Sequence, residues 1–325
     1  MVYQMVHRML AHASNICAMM KPSDAEHGSK HSRPALARLE RTIYTEQRFG
    51  PREDAVMSAL LTLTPAEVRR LAITRQHLDA APRPSLLDVL RDIGCLQLDP
   101  IQHVDRSHWL VLHSRLGAFD RADFERLLWT ERALFEYWAH EASIVLTEDF
   151  PLHAYRMRRF PGHSAWAERT RAWLEENAAV IEPLMVSMTA HLRKHGPSPA
   201  RELASDDGVA PWISSGWTND TRVNRLIDLM WQRGELFVAG RKGNTRHWGL
   251  PEQVLPDWTP REELDAAAMT QRAAQRSLRA LGVATPGQIR AHFVRRRYVD
   301  LPHVLAALAA EGRILSVQVQ PQDGK

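Results

Sequence analysis

The chain has 325 residues, 44% of them hydrophobic, and a formal net charge of +4 carried mostly by arginine rather than lysine. That length suits two or three packed units, and the modest basic excess permits an anionic partner such as nucleic acid without requiring one. Two cysteines, Cys17 and Cys95, with no CxxC pair and no histidine at ligand spacing, exclude a disulfide scaffold and a structural zinc site. No apolar run approaches the roughly 20 residues that span a bilayer, so the expected location is the cytoplasm.

Residues 1–56 carry no sustained helical period and include a His/Ser/Arg-rich stretch from His27 to Pro34. They are expected to be disordered, or to be an extension upstream of a true start at Met57. Order begins at Leu63-Thr64-Pro65-Ala66-Glu67, where Thr64 is an N-cap, Pro65 the first helical residue and Glu67 the return partner of a capping box. Leu86, Leu87, Val89, Leu90 and Ile93 share one face of a helix that stops at Gly94. Cys95 to Pro100 alternates as a short extended segment, and a helix is predicted from about Val104 to Leu116. Asp120 caps the next helix, with Phe124, Leu127 and Leu128 on its buried side. Ile144-Val145-Leu146 reads as a strand, and Arg156, Arg158 and Arg159 form a basic run.

Two later segments repeat one order. The first has a helix ending near Gly196, a helix over Ser198–Leu203, a third over Asn219–Arg233, the strand Leu236-Phe237-Val238, a basic turn and His247-Trp248-Gly249. The second has a helix ending at Leu281, Thr285-Pro286 opening another, a helix over Leu301–Ala310, and the strand Ile314-Leu315-Ser316-Val317. Helix, helix, apolar helix, strand, basic turn and strand is the order of a winged helix, and its repetition makes the fold mostly α with small β wings. The expected units are 57–165, winged-helix-like, then 166–258 and 259–325, the last cut short at its C-terminal end. Trp212 and Trp217, in an insertion of the first repeat, are expected to pack helices. Arg106, Arg156, Arg158, Arg159, Arg241, Lys242 and Arg246 are the candidate DNA contacts, those of the basic turn because a wing passes close to phosphate oxygens.

No phosphate loop, HExxH helix or GxSxG elbow is present, which removes most nucleotide-dependent, zinc and serine-hydrolase chemistry. Gln97-Leu98-Asp99 remains. In an extended segment Gln97 and Asp99 point to one side and Leu98 to the other. A carboxylate can then take a proton from a water that the amide holds in line, with no metal or cofactor. The plainer reading is that Asp99-Pro100 opens a turn and Gln97 is an ordinary strand end.

Gly94 to Gln102, with Arg106-Ser107-His108-Trp109, Ser114-Arg115-Leu116-Gly117, Leu128-Trp129 and Glu136 to Ala142, closely resembles the YcaQ/AlkZ family of crosslink-repair DNA glycosylases. The resemblance runs from about Leu63 onward. It implies tandem winged helices and removal of N7-alkylated guanine, crosslinked bases included, from double-stranded DNA. Gln97 and Asp99 match the family's catalytic Gln-apolar-Asp motif. His140 and Glu141 are candidates for lining the site, or for structural roles nearby. An N7-alkylguanine is cationic and leaves readily, so the carboxylate's task is to stabilise the oxocarbenium ion and deprotonate water. The resemblance also implies a further C-terminal β-rich domain, which this sequence, stopping at Lys325, is expected to lack. A non-catalytic winged-helix regulator stays open as the competing reading.

Overall fold

The computed structural model describes residues 16–19, 61–79, 85–99, 104–162, 165–203, 222–294 and 297–321. Trp212, Trp217 and Pro100 to Gln102 lie outside these residues. The chain gathers into two compact units, one of residues 84–269 and one formed by 1–83 together with 270–325.

In the central unit the first helices are α2 (Leu86–Ile93), α3 (Ser107–Leu116) and α4 (Arg121–Glu125), the last running into a π turn over Arg126–Thr130. Ser85 caps α2 from its side chain and Asp120 caps α4. Strands β3 (Cys95–Gln97), β4 (Leu134–Trp138) and β5 (Ala142–Leu146) form an antiparallel sheet in the order β3-β5-β4. This is a winged helix: the strand after the first helix pairs with the returning strand of the wing hairpin. Leu96, Leu134, Ile144 and Leu146 close a core with Val89, Leu112 and Phe124 on one side of the sheet. Phe135, Tyr137 and Val145 enter a second core on the other side.

The second winged helix follows α5 (Phe150–Arg158) and α6 (Ala165–Glu176). It comprises α7 (Ala178–His195), β6 (Ser198–Pro199), α8 (Ala200–Leu203), α9 (Arg222–Gln232), β7 (Phe237–Lys242) and β8 (Thr245–Gly249), followed by α10 (Pro251–Val254), with sheet order β6-β8-β7. Its core holds Met188, Leu192, Ile227 and Trp231 together with Phe135 and Tyr137 of the first sheet. The first and second winged helices therefore share one core. Gly234, after α9, has φ +73°, and a Cβ there would lie 2.5 Å from Met157 Sδ.

The other unit repeats the order a third time. The end of α11 (Ala266–Leu281) leads through β9 (Val283–Ala284), α12 (Pro286–Ala291) and α13 (Leu301–Ala310) to β10 (Ile314–Val319). Thr285 and Gln288 close a capping box at α12, as Thr64 and Glu67 do at α1 (Pro65–Arg75). The sheet here has four strands in the order β2-β10-β1-β9, with β1 at Ile16–Met19 and β2 at Leu61–Leu63. β1 runs antiparallel to both β9 and β10, the place that β5 and β8 take in the other two sheets. Within residues 1–56 only Ile16–Met19 is described, and it is this strand; the rest of that stretch lies outside the described residues. Among the described residues no sheet exceeds four strands and no helix is long and apolar enough to cross a membrane.

Gly234→Ala is expected to lower stability by about 1–3 kcal/mol, from the left-handed backbone and the displaced Met157. Urea denaturation followed by circular dichroism reads this directly.

Candidate functional site

The candidate motif starts where α2 is stopped by Gly94, whose φ of +83° turns the chain into β3. β3 pairs with β5 through Cys95↔Val145, Leu96↔Ile144 and Gln97↔Ser143. The pairing extends one residue further, because Leu98 N–H donates to Ala142 O at 2.8 Å. Leu98 packs against the first core, while Gln97 is exposed and Asp99 half-buried. This is the partition that alternation predicts.

Ser107, the first residue of α3, clamps the motif from both ends. Its hydroxyl donates to Gln97 O at 3.1 Å and accepts from the Asp99 N–H at 3.3 Å. One side chain thus fixes the backbone on each side of Leu98. His140 Nε2 lies 3.4 Å from Gln97 Oε1, and its Nδ1 lies 4.0 Å from Cys95 Sγ. Burial pushes the Cys95 thiol up to about 12, so it stays protonated and is no nucleophile near neutral pH. His140 and Glu141 are both half-buried in the β4–β5 turn, where the Glu141 carbonyl accepts hydrogen bonds from Ala139 N–H and Ser143 Oγ.

Next to Ser107, His108 is buried between Trp109 and Phe124. Burial, with the Arg106 charge beside it, pulls its imidazole down to about 4, so the ring is neutral near pH 7. The buried Nδ1 has no hydrogen-bond partner among the described residues.

The basic residues do not behave alike. Arg158, Arg159 and Lys242 are exposed, although Arg159 lies over the Tyr155 ring at 3.8 Å. Arg156 is half-buried and donates to Trp138 O at 3.1 Å. Arg106 donates to the side chain of Asn244 in the second wing. Arg241 grips Glu136 through two bonds of 2.6 and 2.7 Å, and Arg246 Nε reaches the same carboxylate at 3.3 Å. Glu136 is only 1% exposed. Arg246 also lies over the rings of Trp231 and Trp248. Arg241 and Arg246 thus hold the second wing to the first sheet, and Arg158, Arg159 and Lys242 are the expected contacts that stand in solvent.

Sequence reasoning missed Ser107, Glu136 and Asn244 as site residues. Glu136 carried a signal: a carboxylate inside the apolar run Leu134-Phe135-Glu136-Tyr137-Trp138 must find a buried cation. Ser107 and Asn244 carried none, since their partners are brought to them by the fold.

Three winged helices in series, with a polar motif at the end of the first one's edge strand β3, define a winged-helix protein of the kind that binds DNA. A family model described as "DNA glycosylase AlkZ-like" matches residues 90–325, and the chain belongs to that family. The matched region includes Gln97 and Asp99. Among solved structures the chain is similar to the Streptomyces sahachiroi DNA glycosylase AlkZ, at 17% identity, covering 79% of this chain and 70% of that one with a TM-score of 0.56.

Two outcomes follow from this geometry. Glu136→Ala leaves two guanidinium groups facing a partnerless, low-exposure site and is expected to cost about 3 kcal/mol in urea unfolding, with Glu136→Gln costing less. His108 binds fewer protons folded than unfolded between about 4 and its ordinary 6.5. Its contribution to stability is therefore complete above 6.5 and lost as the pH falls towards 4. Thermal unfolding of His108→Leu across that range should show a shallower acid-side decline than the parent.

Proposed function

We propose that this protein is a monofunctional DNA glycosylase that excises N7-alkylated purines from duplex DNA, and that it unhooks crosslinks through the same bond cleavage. The observation that supports this best is the Ser107 clamp on Gln97-Leu98-Asp99, which fixes an exposed amide and a half-buried carboxylate at the end of a strand. Membership of the glycosylase-named family adds to it.

In this reading water attacks C1′ as the bond to the alkylated N7-purine breaks, and the purine leaves with the bonding electrons, neutral because it began as a cation. Asp99 takes the proton from the water and stabilises the positive charge that develops at C1′. Gln97 orients the water, and His140, beside Gln97 Oε1, sets the rotamer of that amide. Ser107 positions the motif without touching substrate. Exposed Arg158, Arg159 and Lys242 contact phosphates, and no cofactor is needed. The chemistry takes place in the cytoplasm, on nucleoid DNA.

The test is release of free base from a duplex carrying N7-methylguanine. Asp99→Asn is expected to lower the rate about 10²–10⁴-fold, the range for loss of a general base, with duplex affinity nearly unchanged. Equal release by parent and variant removes the assignment to Asp99. Salt-sensitive duplex binding with no release from either points to a non-catalytic DNA-binding protein.

A further inference from the structure

A cleft of about 760 Å³ opens in the central unit between β4, α8, α9 and the second wing. Its wall touches the candidate motif directly. Ala142, which lines it, is the residue whose carbonyl accepts the Leu98 N–H, and Asn244 on its rim is the partner of Arg106.

Its position in the fold is informative. α9 stands where a winged helix carries its recognition helix, the element ordinarily laid in the major groove. The C-terminal end of α9 is fastened to β4 instead: Trp231 Nε1 donates to Glu136 O at 3.2 Å, and Tyr137 Oη donates to Gln232 O at 2.7 Å. Asn224, Arg225, Asp228 and Trp231, which share one face at helical spacing, all line the cleft. The polar face of this helix thus looks into a bounded cavity.

The lining has a definite chemistry. Trp138, half-buried, gives it aromatic surface, with Trp231 and Trp248 buried in its wall, and Asn224 and Asn244 bring side-chain amides, the Asn244 oxygen accepting from Arg106. Arg201, Arg225, Arg241 and Arg246 meet three carboxylates, Glu202 beside Arg201, Asp228 beside Arg225 and Glu136 behind the wall, so one guanidinium charge is in excess. Aromatic and guanidinium planes stack bases, amides read base edges, and surplus guanidinium charge attracts phosphate. The volume falls within the class of small-ligand sites and suits one nucleotide rather than a stretch of duplex.

We propose that this cleft takes a single unpaired nucleotide displaced from the DNA beside the Gln97-Leu98-Asp99 motif, with its base neutral and its phosphate directed to the arginines. The surplus positive charge repels a cationic alkylpurine, so the captured nucleotide is an undamaged one next to or opposite the lesion. The proposal rests on the DNA-binding part of the proposed function and not on base excision.

Fluorescence anisotropy at fixed salt tests it with two unmodified DNAs, a perfect duplex and the same duplex carrying a single-nucleotide bulge. The parent protein should bind the bulged duplex at least about tenfold more tightly. Arg201 has a side chain 74% exposed, and Asn224 is exposed on α9, so both can be changed without disturbing a core. In the double variant Arg201→Glu, Asn224→Asp the preference should fall to within about twofold, with an unchanged melting curve. Equal affinity of the parent for the two DNAs, or a preference that survives the double variant, overturns the proposal. Neither DNA contains an alkylated base, so failure of excision leaves this result intact, and failure of the bulge preference leaves excision intact.

Discussion

Glu136 has almost no exposed surface, yet it carries two arginines of another winged unit, and the layout of the site depends on that contact. A carboxylate so buried is tolerated only where cations and hydrogen bonds replace its hydration. Arg241 supplies a bidentate grip and Arg246 a third contact, so the second wing is seated on the first sheet. Arg106 and Asn244 then meet at the rim, and the cleft beside the motif acquires its wall. Arginine suits this task because its planar fork meets both carboxylate oxygens at once while its face covers tryptophan.

Stability and chemistry are divided between neighbouring side chains in the motif region. Leu96 and Leu98 commit the strand to the core, while Gln97 and Asp99 stay outside it. Ser107 fixes the backbone with a single hydroxyl, so the placement of the amide and the carboxylate follows from the start of α3 and not from the motif alone. The neutral His108 beneath it fills the first core between aromatic rings without adding charge under the site.

Much of the fold was legible where local signals were strong. The capping box at Thr64, the helix opened at Thr285-Pro286, the stop at Gly94 and the apolar helix Leu301–Ala310 all stand where the pattern put them. α3 begins at Ser107, later than the expected Val104, because Val104 and Asp105 lie in a bend and Arg106 is its extended N-cap. Strand β4 was hidden for a different reason. Its sheet is buried on both faces, so Leu134 to Tyr137 read as one apolar run without the alternation that marks a half-exposed strand. The motif itself was legible through its surroundings, since two polar residues flanking a leucine are common in any sequence. The cleft was not legible: its tryptophans and arginines come from elements far apart in sequence, and only the seating of the wing brings them together.

The third winged helix closes differently from the other two. In those, the returning strand follows its partner after a tight turn, as β8 follows β7. Here β1, from the opposite end of the sequence, lies between β9 and β10, with Ile16 opposite Val317 and Cys17 opposite Ala284. A hairpin closes its ladder at small entropic cost, whereas this ladder must first bring together segments separated by nearly the whole chain. That gives the unit a high contact order, and such pairings form late. The third winged helix is thus the last part of the protein to become complete, and on the ribosome its first strand must wait until its partners have been made.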